Sequence, residues 1–150
     1  MIVSALAHRV IEAANREPRR NERAVDMLLL HYTGMNSAAA ACDLLCSESS
    51  GVSCHYLVDE GGMITQMVGE ESRAWHAGVS CWQGETDTNS RSIGIEIQNP
   101  GHQYGYRDFP AVQMAAVAAC RMNAGVSKLP CGVCTRPRRA ALVVVPASRS

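Results

Sequence analysis

The chain has 150 residues, 47% of them hydrophobic and 19% charged, which suits one domain with a real core and excludes a chain disordered throughout. Fourteen Lys/Arg balance fourteen Asp/Glu overall, but residues 1 to 108 hold every acid and residues 109 to 150 carry only basic charge, with no Asp, Glu or His. No run approaches the roughly 18 apolar residues of a membrane helix, and seven cysteines without a framework spacing suit reduced thiols rather than a disulfide scaffold.

In chain order, Ile2, Leu6, Val10 and Ala13 fall at helical spacing and predict an amphipathic helix over the first fifteen residues. His8, Arg9 and Glu12 interrupt it, so it lacks the continuous apolar stretch of a secretory signal. A cytoplasmic location is therefore expected, and a periplasmic one would need a longer N-terminus. Residues 16–23, charged and broken by Pro18, read as a linker. Glu17 and Glu22 interleave with its arginines, which favours a solvated loop over a nucleic-acid contact. Neither nucleic acid nor membrane is an expected partner.

Met27 to Thr33 is an apolar run that ends in polar residues, and Gly34 breaks it, the pattern of a strand. Asn36 or Ser37 is placed to cap an Ala-rich helix ending at Cys46. His55 to Asp59 and Met63 to Val68 flank Glu60-Gly61-Gly62, the punctuation of a β-hairpin. Residues 69–90 show no sustained period and read as a long loop of the kind that often carries function. Ser92 to Ile97 is a second buried strand, and Pro110 opens a helix over Val112 to Met122. The order describes an α/β domain with a single mixed β-sheet flanked by helices. Within the basic tail, Leu142 to Val145 has strand composition, but Pro137 and Pro146 bracket it and a loosely attached segment is expected.

Three features point to chemistry. Glu96 sits near the end of an apolar strand, sharing a face with Ser92 and Gly94, while Ile93, Ile95 and Ile97 take the core face. A carboxyl there, beside a glycine that leaves the face uncovered, is placed for general acid/base work; the plainer alternative is an edge glutamate in water. His31 ends the other apolar strand in the same way, so two polar strand ends meet at one edge of the sheet. Trp75 and His76, in Arg73-Ala74-Trp75-His76-Ala77-Gly78, read as a groove wall, although a loop tryptophan often simply packs the loop down. Cys131 and Cys134 have metal-ligand spacing without a second pair.

Taken together and in order, Leu29 to Met35, Val52 to Val58, Arg73 to Gly78, Asp87 to Ser90, Ser92 to Glu96 and Asn99 to His102 resemble the zinc-dependent N-acetylmuramoyl-L-alanine amidases of the type 2 group, relatives of the peptidoglycan recognition proteins and of the phage lysozyme amidases. The resemblance runs from about Asp26 to Cys120. It implies the fold of those proteins and a hydrolase that cuts the amide between N-acetylmuramic acid and L-alanine in peptidoglycan or muropeptides. It further implies that His31 is a zinc ligand, Glu96 the catalytic acid/base, Trp75 a lining of the substrate groove, and that His76 and Tyr32 lie near the ligand.

The chain departs from that pattern at its C-terminal side. The family's second zinc-ligating histidine and third ligand, an aspartate, follow the last helix, where this chain has neither residue type. A catalytic zinc takes about three protein ligands and an open position for water. The expected organisation is therefore an amidase-like domain over 1–121, incomplete at its C-terminal side, and a divergent tail over 122–150, with impaired zinc-dependent activity. The competing expectation is a non-catalytic muropeptide-binding module.

Overall fold

The computed structural model describes residues 1–123, 132–134 and 142–146, those beyond 120 in their backbone only. Its elements are β1 (Arg9–Val10), β2 (Arg16–Pro18), β3 (Met27–Tyr32), α1 (Ala38–Cys46), β4 (Tyr56–Val58), β5 (Ile64–Gln66), β6 (Ser72–Ala74), β7 (Ser92–Ile97), α2 (Ala111–Asn123), β8 (Gly132–Cys134) and β9 (Leu142–Pro146). Seven strands form one mixed sheet in the order β1-β5-β4-β7-β3-β9-β8, and β2 and β6 form a separate antiparallel ribbon. The three strands β4, β7 and β3 run parallel to one another at its centre.

Strand alternation divides the side chains between two faces, each covered by a helix. Leu28, Tyr56, Val58, Ile93, Ile95 and Ile97 pack with Val117 and Cys120 of α2. On the other face, Leu57 packs with Ala41, Cys42 and Leu45 of α1, while Met27 and Leu29 meet Ala77 and Trp82 from the long loop. The helices are secured by specific polar contacts. Ser37 caps α1, its hydroxyl accepting from Ala40 N–H at 3.2 Å. From α2, the buried Gln113 amide donates to the carbonyls of Val58 (3.2 Å) and Gln98 (2.9 Å), tying the helix to the ends of β4 and β7.

Four expectations from the sequence are corrected. The first fifteen residues are not a helix: the chain runs alongside β5, with His8 N–H, Ile11 N–H and Ala13 N–H donating to the carbonyls of Ile64, Gln66 and Met67. Pairing with a neighbouring strand overrides the four-residue spacing, which is a weak local preference. Residues 16–18, taken for linker, form β2 against Ser72–Ala74 of the supposed loop. Leu142–Pro146, expected to lie loose, pairs with β3 as an antiparallel strand, and Gly132–Cys134 pairs with it in turn. The remainder of the 122–150 tail, Cys131 included, lies outside the described residues apart from Met122 and Asn123, which close α2.

Candidate active site

The site is built on the paired strands β3 and β7. Their register sets Met27 against Ser92, Leu29 against Gly94 and His31 against Glu96, so the two polar strand ends are direct neighbours on one face. Leu57 of β4 flanks Glu96 on its other side. Glu96 Oε2 is buried, and among the described residues it has no hydrogen-bond partner. An ionised carboxylate loses its hydration there without replacement, and burial raises the Glu96 pKa from 4.5 to about 7. This is the range in which a carboxyl group both takes and returns a proton near neutral pH.

Gly94, expected to leave the face open, is covered. The His76 ring lies directly over it, where a Cβ on residue 94 would overlap the ring carbons. Two backbone donors fix the loop at this point: His76 N–H and Ala77 N–H both meet Asn89 Oδ1, at 3.1 and 2.9 Å. From there His76 Nδ1 reaches His31 Nε2 at 3.2 Å and its Nε2 reaches Ser92 Oγ at 3.3 Å. Both nitrogens of His76 are thus engaged within the protein. The rings of His31 and His76 meet edge to face with centroids 5.3 Å apart, and the ring of His55 meets that of His76 edge to face at 5.6 Å. Burial holds all three neutral: it lowers His31 to about 4 and His55 to about 3, and it takes His76 well below the ordinary histidine range, with His31 and His55 adding to the effect.

His55 and Arg19 are the parts of this neighbourhood that the sequence hid. Gly94 N–H donates to His55 Nδ1 at 3.0 Å, so the ring proton is on Nε2, which donates to the Ser72 carbonyl at 3.1 Å. Arg19 Nη2, 3.2 Å from the same nitrogen, is therefore a packing contact there. Its guanidinium is spent on carbonyls, donating to Glu70 (2.8 Å), Ser90 (3.0 Å) and Ser92 (3.1 Å). Nothing in a charged, proline-broken stretch announces such a clamp; the only hint is an arginine immediately after Pro18, where the strand ends.

Trp75 follows β6 and is pinned by a reciprocal pair with Ser53: its N–H donates to Ser53 Oγ (2.9 Å) and its carbonyl accepts from Ser53 N–H (3.0 Å). The indole N–H is buried and has no partner among the described residues. Tyr32 is separated from the rest. Alternation puts it beside Ile97 on the opposite face from His31 and Glu96, where its ring lies over Gly101 and edge-on to Tyr106 with centroids 6.4 Å apart. The structure brings His31, His76 and Glu96 to one face and leaves Tyr32 outside that group. A cleft lined by Ile2, Ser4, Tyr56, Gln66, Glu70 and Glu71 shares none of these residues.

The curated amidase AmiD of Escherichia coli K12 is 36% identical over 104 residues, which make up 63% of this chain and 37% of AmiD. A crystal structure of an AmpD derivative superposes with a TM-score of 0.64 at 25% identity, covering 79% of this chain and 73% of that one. AmpDh3 of Pseudomonas aeruginosa, solved in complex with an anhydromuramic pentapeptide, superposes with a TM-score of 0.60 at 31% identity, covering 73% of this chain and 48% of that one. The chain thus spans well under half the length of the curated relative. The model of the Amidase_2 family, described as N-acetylmuramoyl-L-alanine amidase, matches residues 21–129, well over half of the sequence, and the chain belongs to that family.

Proposed function

We propose that this chain is an N-acetylmuramoyl-L-alanine amidase acting on muropeptides, with Glu96 as its acid/base. The observation that carries the reading is Glu96, its buried Oε2 without a partner among the described residues and its pKa raised to about 7, paired in register with His31 within the segment matched to the family. The chemistry asks one group to act twice. Glu96 takes a proton from the water that attacks the amide carbonyl, then delivers it to the nitrogen as the carbon–nitrogen bond breaks, giving a carboxylic acid and the amine of L-alanine, which ionise in water. A carboxyl that titrates near neutrality serves both halves. The substrate class is supported by AmpDh3, whose structure holds an anhydromuramic pentapeptide.

The family's zinc has a poor fit to the residues on view. Among the described residues no three His, Cys, Asp or Glu side chains are grouped to hold a metal ion, and His31 is the only one of the resemblance's ligands present. The same observation favours a second reading, a muropeptide-binding module without turnover.

The test is release of stem peptide from a purified anhydromuropeptide by the full chain, with the metal content measured on the same sample. Slow release is expected, falling at least about 100-fold in Glu96→Gln while muropeptide binding persists. Release that Glu96→Gln leaves intact removes Glu96 from the mechanism. Binding without release by the unaltered chain establishes the second reading.

A further inference from the structure

The hydrogen bonds around His76 have a direction, and the neighbouring groups dictate it. Thr88 offers Ser92 Oγ only a carbonyl oxygen, 2.6 Å away, so the single hydroxyl proton of Ser92 lies on that contact. Ser92 Oγ therefore meets His76 Nε2 as an acceptor, and Nε2 carries the ring proton of His76. A neutral imidazole protonated at Nε2 holds a lone pair at Nδ1. At the 3.2 Å contact with His31 the proton then belongs to His31 Nε2. His31, neutral and protonated at Nε2, keeps its own lone pair on Nδ1, which has no hydrogen-bond partner among the described residues.

We propose that His76 is a positioning residue: the one-way chain from His31 Nε2 through His76 and Ser92 to the Thr88 carbonyl locks His31 in a single tautomer and presents its Nδ1 electron pair at the strand position paired with Glu96. Two features of the fold serve this arrangement and have no other evident purpose. Gly94 provides the space in which the His76 ring lies, and Asn89 holds two successive backbone donors so that the ring cannot shift along the strand. A ligating or proton-accepting histidine elsewhere commonly has its second nitrogen fixed by a hydrogen bond of this kind. The use of the Nδ1 pair on a muropeptide rests on the amidase reading; the tautomer does not.

The experiment is a through-hydrogen-bond nitrogen–nitrogen correlation on the full ¹⁵N-labelled chain near pH 7.5. A proton on His31 Nε2 correlated with His76 Nδ1 is expected. A proton found on His76 Nδ1 overturns the proposal, as does the absence of any correlation between the rings in a folded chain. His76→Asn, whose Oδ1 falls where Nδ1 stood, keeps the His31 proton protected from water, whereas His76→Leu speeds its exchange by about tenfold or more, the equivalent of one hydrogen bond. Equal exchange in both variants also overturns it. If His76→Leu does not fold, the correlation in the unaltered chain still decides the direction. A chain that shows the correlation and releases no stem peptide leaves the proposal standing and removes the amidase reading.

Discussion

Glu96 illustrates how a functional group destabilises the fold that holds it. Its pKa stands at about 7 in the folded chain against 4.5 for the ordinary side chain, because burial disfavours the charge. In the unfolded chain it ionises above pH 4.5; in the folded chain it stays protonated until about 7. Stability is therefore lost as pH rises between those values, by roughly 3 kcal/mol at most for a shift of this size. Glu96→Gln, neutral at every pH, is expected to raise the unfolding free energy measured by urea at pH 8 by up to that amount and to leave it unchanged at pH 4. An equal effect at both pH values contradicts the burial argument. Gly94 supplies a second test at this scale. A methyl group on residue 94 overlaps the His76 ring, so Gly94→Ala forces either the ring or the strand to move, at roughly 1–3 kcal/mol in thermal or denaturant unfolding.

Among the elements, the ribbon of β2 and β6 is the least expected and the most consequential for the site, since it delivers Arg19 to the carbonyls of Glu70, Ser90 and Ser92. Arg19→Met keeps the volume and removes the donors to those carbonyls; a loss of roughly 3–5 kcal/mol is expected, read from denaturant unfolding. Arg19→Lys restores the charge but not the fork, and is expected to recover only part of it. This is also where the limits of sequence reading show. β3, β7, the β4–β5 hairpin, α1 and α2 were legible because each is defined by its own periodicity, cap or turn. Pairing of residues 9–10 with β5 and of 16–18 with β6 depends on partners more than fifty residues away, and no local pattern encodes it. The site divides along the same line. His31 and Glu96 could be matched as two polar strand ends, and alternation alone separates Tyr32 from them. The place of His76 could not be read, because it follows from Gly94 beneath the ring and Asn89 holding the loop.

Across the whole molecule, opposing titrations decide how the protein meets acid. His31, His55 and His76 are neutral in the folded chain and have depressed pKa values, about 4 and 3 for the first two. In the metal-free unfolded chain each takes a proton near pH 6.5, so the stability they represent is full above that value and drains away as pH falls towards 4. Glu96 acts in the opposite sense, since between pH 4.5 and 7 it is the folded state that holds the extra proton. Near pH 5.5 the unfolded chain binds about three more protons on the histidines and the folded chain one more on Glu96, so the histidines prevail by about two protons. At about 1.4 kcal/mol per proton per pH unit, stability falls by roughly 2–3 kcal/mol for each unit of acidification. By about pH 4.5 the loss sums to roughly 5 kcal/mol, the lower end of the 5–15 kcal/mol typical of a domain. Denaturant titrations of chelator-treated protein at several pH values from 7 to 5 measure it directly. Glu96→Gln, which removes the opposing proton, steepens the slope by about half; a slope that is flat, or unaltered in that variant, is incompatible with a buried neutral histidine cluster facing a buried protonated carboxyl.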